Sequence, residues 1–301
     1  DSDILAEWVS DLNLDELKSQ IEIPELKLGF DMPQELENDS IDDAAKIKTD
    51  IKIGDLIEIG RHRLLCGDST KKEDVERLMN GMKADMVFTD PPYNMQVEGG
   101  RNQPVGKSAR KLVEAIKHLC DFDPIKFLEM LPNVFNKNIM NAYIFCNKDL
   151  VVDYLKWGVD SGYSFNILFW KKPNAIPLGG SHRPDVEYLL LFRKSAIWNN
   201  GLNGVSYSKC LEYERSDEAG HPTIKPIKLV ENEIQISSNK NSILFEPFTG
   251  SGTTMVACQT LDRTCYGMEL EPLYCQVIIN RMRKNFPELE IKVNGTEYKE
   301  S

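Results

Sequence analysis

The sequence predicts an open α/β sheet, and three observations predict it. From residue 51 onward short apolar runs alternate with amphipathic stretches of helical period. A Gly-x-Gly turn at 250–252 joins an apolar run to a helix, and the run Ala84-Asp85-Met86-Val87-Phe88 stops at Thr89-Asp90-Pro91-Pro92. Strands that alternate with helices form a largely parallel sheet whose ligands lie at the carboxyl ends of the strands.

The totals set the frame. The chain has 301 residues, enough for one large domain or two modest ones, and 41% apolar with 28% charged residues is the composition of a folded protein. The run Tyr188–Phe192 is too short to cross a bilayer, and no basic-then-apolar leader precedes Asp1, so the expected location is cytoplasmic. Seven cysteines form no C-x-x-C and four histidines fall in no ligand spacing, so neither zinc nor disulfides are expected. The net charge of −11 is confined to residues 1–50, which hold 15 Asp/Glu and 4 Lys/Arg; residues 51–301 hold 32 of each. The remainder is therefore free to carry a local basic face.

Residues 1–50 read as an acidic arm or linker. Ile4, Leu5, Trp8, Val9 and Leu12 have helical spacing, Asp11 to Lys18 can add a second turn, and 35–43 is solvated linker. The catalytic domain is expected over 51–301. It opens with two short strands, 53–60 and 62–66, joined at Gly60-Arg61, then Gly67-Asp68-Ser69 and a helix over 71–79. Asp68 suits two roles, a cap for that helix or a group facing a ligand at a strand's carboxyl edge. The 84–88 run reads as a buried strand closed by prolines that cannot continue a ladder.

Gln96 to His118 is rich in Gly and bases, and between Arg101 and Lys117 stand Arg101, Lys107, Arg110, Lys111 and Lys117 against one acid, Glu114. A segment of this kind suits a polyanion, and equally a solvated loop. A helix over 124–135, a strand over 141–146 and a helix over 151–159 follow, then strands over 165–170 and 186–192. Lys171-Lys172 and Arg193-Lys194 place basic pairs at their ends, and 198–220 lacks core periodicity. His221-Pro222-Thr223-Ile224-Lys225-Pro226 leads into a helix over 227–237. The strand from Ile243, the glycine turn, a helix over 254–261, the strand 264–269 and a helix over 273–283 complete the pattern.

Two stretches carry chemistry. Pro91 and Pro92 have fixed φ and carbonyls free to accept, so the Asp90 carboxylate and the Pro91 carbonyl make a rigid acceptor pair beside the ring of Tyr93. Such a pair suits an amino group on a planar heterocycle. The plain alternative is a strand ending in a Pro-rich turn. At the glycine turn, a P-loop would need Lys after Gly252, where Thr253 stands, and a dinucleotide site would need a third Gly, where Met255 stands. A nucleoside without phosphates needs only close approach at Gly250 and Gly252 and an acid at the next strand's end, and Glu269 stands 17 residues after Gly252. Adenosyl-methionine meets this description; a cap is the plain role for Glu269.

The D-P-P-Y at 90–93, the H-P-T-I-K-P at 221–226 and the F-T-G-S-G-T-T at 248–254 resemble the amino-methylating DNA methyltransferases. Their order, catalytic stretch first and glycine turn last, resembles the β group. The lead-in G-R-H-R-L-L-C-G-D-S resembles bacterial and phage adenine-specific (N6) members often linked to a ParB-like domain, for which residues 1–50 leave no room. The family often has Asp where Glu246 stands and Gln where Ile224 stands.

The resemblance, over about residues 51–285, implies a Rossmann-like class I methyltransferase fold, circularly permuted, with a mostly parallel sheet and one antiparallel strand. It implies S-adenosyl-L-methionine as cofactor and methyl transfer to adenine N6 in double-stranded DNA after base flipping. Asp90, Pro91, Pro92 and Tyr93 are then catalytic. Asp68, Asp90, His221, Thr223, Lys225, Phe248, Gly250, Ser251, Gly252, Thr253 and Glu269 then lie about the cofactor. Asn94, Arg101, Lys107, Arg110, Lys111, Lys171 and Lys172 then meet DNA, with a small target-recognition region at about 195–220. A homodimer and a restriction endonuclease in a restriction-modification pair are compatible partners; a metal and a membrane are not expected. Three rivals stand beside this: N4-cytosine methylation, methylation of a protein glutamine amide, and a catalytically silent DNA-binding subunit.

Overall fold

The computed structural model of the chain describes residues 47–92, 123–175, 182–183, 185–198, 207–214 and 225–298. They lie in the unit Pro33–Ser301, so the expected acidic arm falls almost wholly outside them. The described elements, in chain order, are β1 (Leu56–Ile59), β2 (His62–Cys66), α1 (Lys72–Met79), β3 (Met86–Thr89) and α2 (Pro124–Met130), which runs into a 3-10 turn at Leu131–Asn133. Then come β4 (Met140–Cys146), α3 (Val151–Asp160), β5 (Ser164–Lys171), β6 (Val186–Lys194), β7 (Cys210–Glu212) and α4 (Ile227–Ser237). The chain continues through β8 (Ile243–Glu246), α5 (Thr253–Thr260), β9 (Thr264–Glu269), α6 (Pro272–Asn285), β10 (Ile291–Val293) and β11 (Thr296–Glu297).

The strands form one sheet in the order β11-β10-β1-β2-β9-β8-β3-β4-β6-β5-β7. Its centre, β2-β9-β8-β3-β4, is parallel throughout. β6 runs against both β4 and β5, and is the single reversed strand expected within this block. The sheet is wider than expected. A further antiparallel set, β1, β10 and β11, extends one edge, and β7 adds a short parallel strand at the other. These strands are two to four residues long; β1 lies within the strand expected over 53–60, while β7, β10 and β11 are held by register with a neighbour, so their own sequences carry little signal.

Helices cover both faces. On one, Met86, Phe88, Tyr143, Leu189 and Leu244 pack with Leu229, Ile234, Met255 and Ile278 from α4, α5 and α6. On the other, Val87, Ala142, Ile144, Leu190 and Phe245 pack with Val75, Leu78, Phe127 and Tyr154 from α1, α2 and α3. All seven residues of β4 are buried, as a central parallel strand requires. His62 ties β2 to β9 and α5: its Nδ1 accepts from Cys265 N at 2.9 Å and its Nε2 lies 2.9 Å from Gln259 Oε1. Burial pushes this imidazole down to about 4, so it sits neutral.

Candidate active site

Two neighbouring strands send the chain in opposite directions. β8 leads through α5 to β9 on one side, and β3 leads to β4 on the other, while β3 and β8 pair in parallel at Met86↔Leu244 and Val87↔Phe245. The carboxyl ends of such a pair open a crevice where ligands bind in α/β sheets. Asp90-Pro91-Pro92 leaves β3 there and the glycine turn leaves β8 there. Beyond them β9 delivers Glu269 and β2 delivers Asp68, which are adjacent because Cys66 pairs with Glu269 and Gly67 N donates to Glu269 O at 2.9 Å.

The turn is shaped by carboxylates and by missing side chains. Gly250 and Gly252 have φ of +54° and +87°, and a Cβ on Gly252 would come 3.1 Å from Ile278 Cγ1. Gly250 N donates to Glu269 Oε2 at 2.9 Å and Glu271 N to Oε1 at 3.0 Å. Burial pushes the Glu269 carboxyl up to about 7. Glu246, at the position where the family often has Asp, buttresses the turn from within: it accepts from Phe248 N at 3.1 Å and Thr254 Oγ1 at 2.9 Å, and burial pushes it up to about 8. Thr249 Oγ1 donates to Met268 O at 2.9 Å, close enough that a Cβ on Gly267 would meet it at 2.6 Å.

Other expected site residues have mixed surroundings. The Phe248 ring meets Phe127 edge-on, centroids 5.2 Å apart. Ser251 and Thr253 are engaged from behind by Arg281 Nη1, which donates to Ser251 O at 3.0 Å and Thr253 Oγ1 at 3.1 Å. Asp68 Oδ1 accepts from Thr70 N at 2.9 Å and Thr70 Oγ1 at 2.7 Å, closing the turn that enters α1 while remaining at the strand edge. The cap role read from the sequence is not what Asp68 does: the N-cap of α1 is Lys71, with no side-chain cap bond, and Asp68 holds the turn before it.

Lys225 lies on the Asp90 side of the crevice, where its buried ammonium donates to Asp90 Oδ2 and lies 3.2 Å from Glu187 Oε2. It stands over the rings of Phe145 at 4.6 Å and Trp170 at 5.8 Å. Burial lowers its pKa, but Asp90 and Glu187 outweigh burial and raise it above the usual lysine value. Glu187 Oε1 accepts in turn from Lys172 Nζ at 2.8 Å. Burial pushes the Glu187 carboxyl up, and the two lysines more than offset this and hold it low. Sequence reasoning missed Glu187, although it left a signal: the strand Val-Glu-Tyr-Leu-Leu-Leu-Phe puts a carboxylate on the same face as Leu189 and Leu191, which are buried.

Lys171 pairs with Glu212 at 3.1 Å, so both lysines expected at the DNA face form ion pairs within the sheet. Tyr93, Asn94, Arg101, Lys107, Arg110, Lys111, His221 and Thr223 lie outside the described residues. Among the described residues no helix is long and apolar enough to cross a membrane, and no cluster of His, Cys, Asp and Glu could hold a metal ion.

The architecture has solved counterparts. The M1.HpyAVI–SAM complex matches with a TM-score of 0.56 at 24% identity, covering 72% of this chain and 98% of that one. The PvuII DNA methyltransferase (cytosine-N4-specific) matches with a TM-score of 0.52 at 17% identity, covering 73% of this chain and 86% of that one. The fold is that of the class I methyltransferases. In sequence, the chain is 25% identical over 250 residues to the Type II methyltransferase M.HpaI of Haemophilus parainfluenzae, covering 74% of this chain and 75% of that protein. The profile of the N6/N4 DNA methylase family matches residues 84–281. The chain belongs to that family, and is a DNA methyltransferase.

Proposed function

We propose that the chain is a site-specific methyltransferase acting on N6 of adenine in double-stranded DNA, with S-adenosyl-L-methionine as methyl donor. One observation carries the reading: Asp90 and the Gly250 turn leave adjacent parallel strands at the point where the chain reverses direction. The donor fits what is present there. Gly250 and Gly252 allow close backbone approach, Glu269 offers a carboxyl at the end of β9 for ribose hydroxyls, and Asp68 stands beside it. When bound, the donor supplies a methyl group made electrophilic by its sulfonium sulfur.

The chain's own part is positioning. The nitrogen of an adenine amino group shares its lone pair with the ring and is a poor nucleophile. Asp90 and the Pro91 carbonyl accept its two hydrogens, which turns the lone pair out of conjugation, and Asp90 stabilises the positive charge that develops on the nitrogen. The target atom is inaccessible inside a duplex, so the base is flipped, with Tyr93 as its stacking platform. Arg101, Lys107, Arg110 and Lys111 supply phosphate contacts for the flanking duplex. A restriction endonuclease partner or a second copy of the chain is compatible with the reading.

The family itself contains the rival, methylation of cytosine N4. Asp rather than Ser at position 90 supports adenine. Treating unmethylated bacterial DNA with the chain and its donor, then reading modified bases by single-molecule sequencing, decides the matter. N6-methyladenine within one short motif is expected; N4-methylcytosine there would replace the adenine reading, and no modified base would remove both.

A further inference from the structure

Four charged side chains from separate segments alternate in sign behind the Asp90 strand end. They are Asp90 after β3, Lys225 before α4, Glu187 in β6 and Lys172 after β5. We infer that Glu187 and Lys172 are positioning residues for methyl transfer: by dividing the ammonium of Lys225 between two carboxylates, they set where the Asp90 carboxylate stands to meet a target amino hydrogen. The inference rests on the reading of Asp90 as acceptor of that hydrogen.

The argument is electrostatic. A buried ammonium facing a single carboxylate makes a closed pair, and an acceptor so engaged gains little from a further neutral donor. Here Lys225 Nζ also lies 3.2 Å from Glu187 Oε2, so its charge is shared. Glu187 is in turn answered by Lys172 at 2.8 Å, and Lys172 stands 5.2 Å from the Trp170 ring that also borders Lys225. Two acids and two bases leave the set neutral next to a reaction that builds positive charge on nitrogen. Removing Glu187 leaves an excess cation there and closes Lys225 onto Asp90. Removing Lys172 lets Glu187 draw Lys225 away from Asp90. Either change shifts a carboxylate that has to be placed within fractions of an ångström. Glu246, Cys146 and Tyr154 also feel the Asp90 charge, but each belongs to the walls of the site and carries no counter-charge.

The test is a double-substitution cycle in the full chain, read by single-turnover transfer from radiolabelled S-adenosyl-L-methionine to unmethylated bacterial DNA, with donor affinity by calorimetry and DNA affinity by titration. Glu187→Gln and Lys172→Met are each expected to slow transfer by about ten- to a hundredfold. Donor and DNA affinities are expected to change by less than about threefold, and the double variant to be slowed far less than the product of the singles. Wild-type rates, losses that multiply, or a Lys172→Met loss confined to DNA affinity would overturn the inference. Thermal melts check folding; if one variant does not fold the other decides, since neither side chain is fully enclosed (Lys172 13% and Glu187 29% exposed). Asp90→Ala separates the two levels of argument. If it still transfers methyl groups, the reading of the site fails. If it is inactive while Glu187→Gln and Lys172→Met work at full rate, only the charge relay fails.

Discussion

In the proposed reading, a donor hydroxyl and the chain's own amides compete for the one carboxyl of Glu269. Burial pushes this group up to about 7, while the amides of Gly250 and Glu271 donate to it. Hydroxyl donors favour the ionised form, so donor binding at lower pH must first expel a proton. Affinity for S-adenosyl-L-methionine is therefore expected to rise between about pH 6 and about pH 8 and level off above, and the Glu269→Gln variant to be weak and flat. A flat wild-type profile in calorimetry would take Glu269 out of the ligand site. Asp90 makes the complementary case: it is expected about the donor as well, but the proposed mechanism uses its carboxylate on the target base. Asp90→Ala is expected to abolish transfer, a loss on the order of 10²-fold or more, with donor binding intact. Lost donor binding in that variant would contradict the assignment.

At the scale of elements, the turn between β8 and α5 combines two demands, a left-handed backbone and no side chain. Gly252 has φ +87° and faces Ile278 at 3.1 Å, so Gly252→Ala has to strain the backbone and push α6 at once. The expected cost is about 1–3 kcal/mol in urea unfolding, with weakened donor binding. An unchanged midpoint would show that the bend tolerates a methyl group. The strands and helices about this turn were legible in the sequence because Gly, Pro and Asp mark the ends of apolar runs such as Met86–Thr89 and Ile243–Glu246. The pairs β7 with β5, and β10 with β1 and β11, were not, since three residues hold their register only against a neighbour. Lys225 shows the other limit. The resemblance implies only that it lies about the cofactor; the structure puts its ammonium on Asp90, 135 residues away in sequence. No local pattern records a pairing of that range, and the alternation of β6 marks the face of Glu187 without recording that it shares the ammonium.

Over the whole molecule, charge is distributed unevenly along the chain: residues 1–50 hold the entire excess of acid and the rest is balanced. Lys171 and Lys172 are tied to Glu212 and Glu187, which leaves Arg110 and Lys111, outside the described residues, as the basic positions to test for phosphate contact. Neutralising both is expected to weaken DNA binding and lower the salt slope by roughly 2. An unchanged slope would remove that stretch from the interface.

At the far edge of the sheet, Tyr298 Oη donates to Asp50 Oδ1 at 2.9 Å, and β10 lies hydrogen-bonded to β1. The first and last described stretches of the catalytic domain therefore lie within a short tether of each other. Joining 298 to 50 by a few glycines and cutting between 214 and 225 would yield a chain that reads glycine bend first and D-P-P-Y second, with every described strand keeping its neighbours. Such a rearranged protein is expected to fold and to methylate the same sites. Which half is written first is then a matter of where the ring of secondary structure happens to be opened.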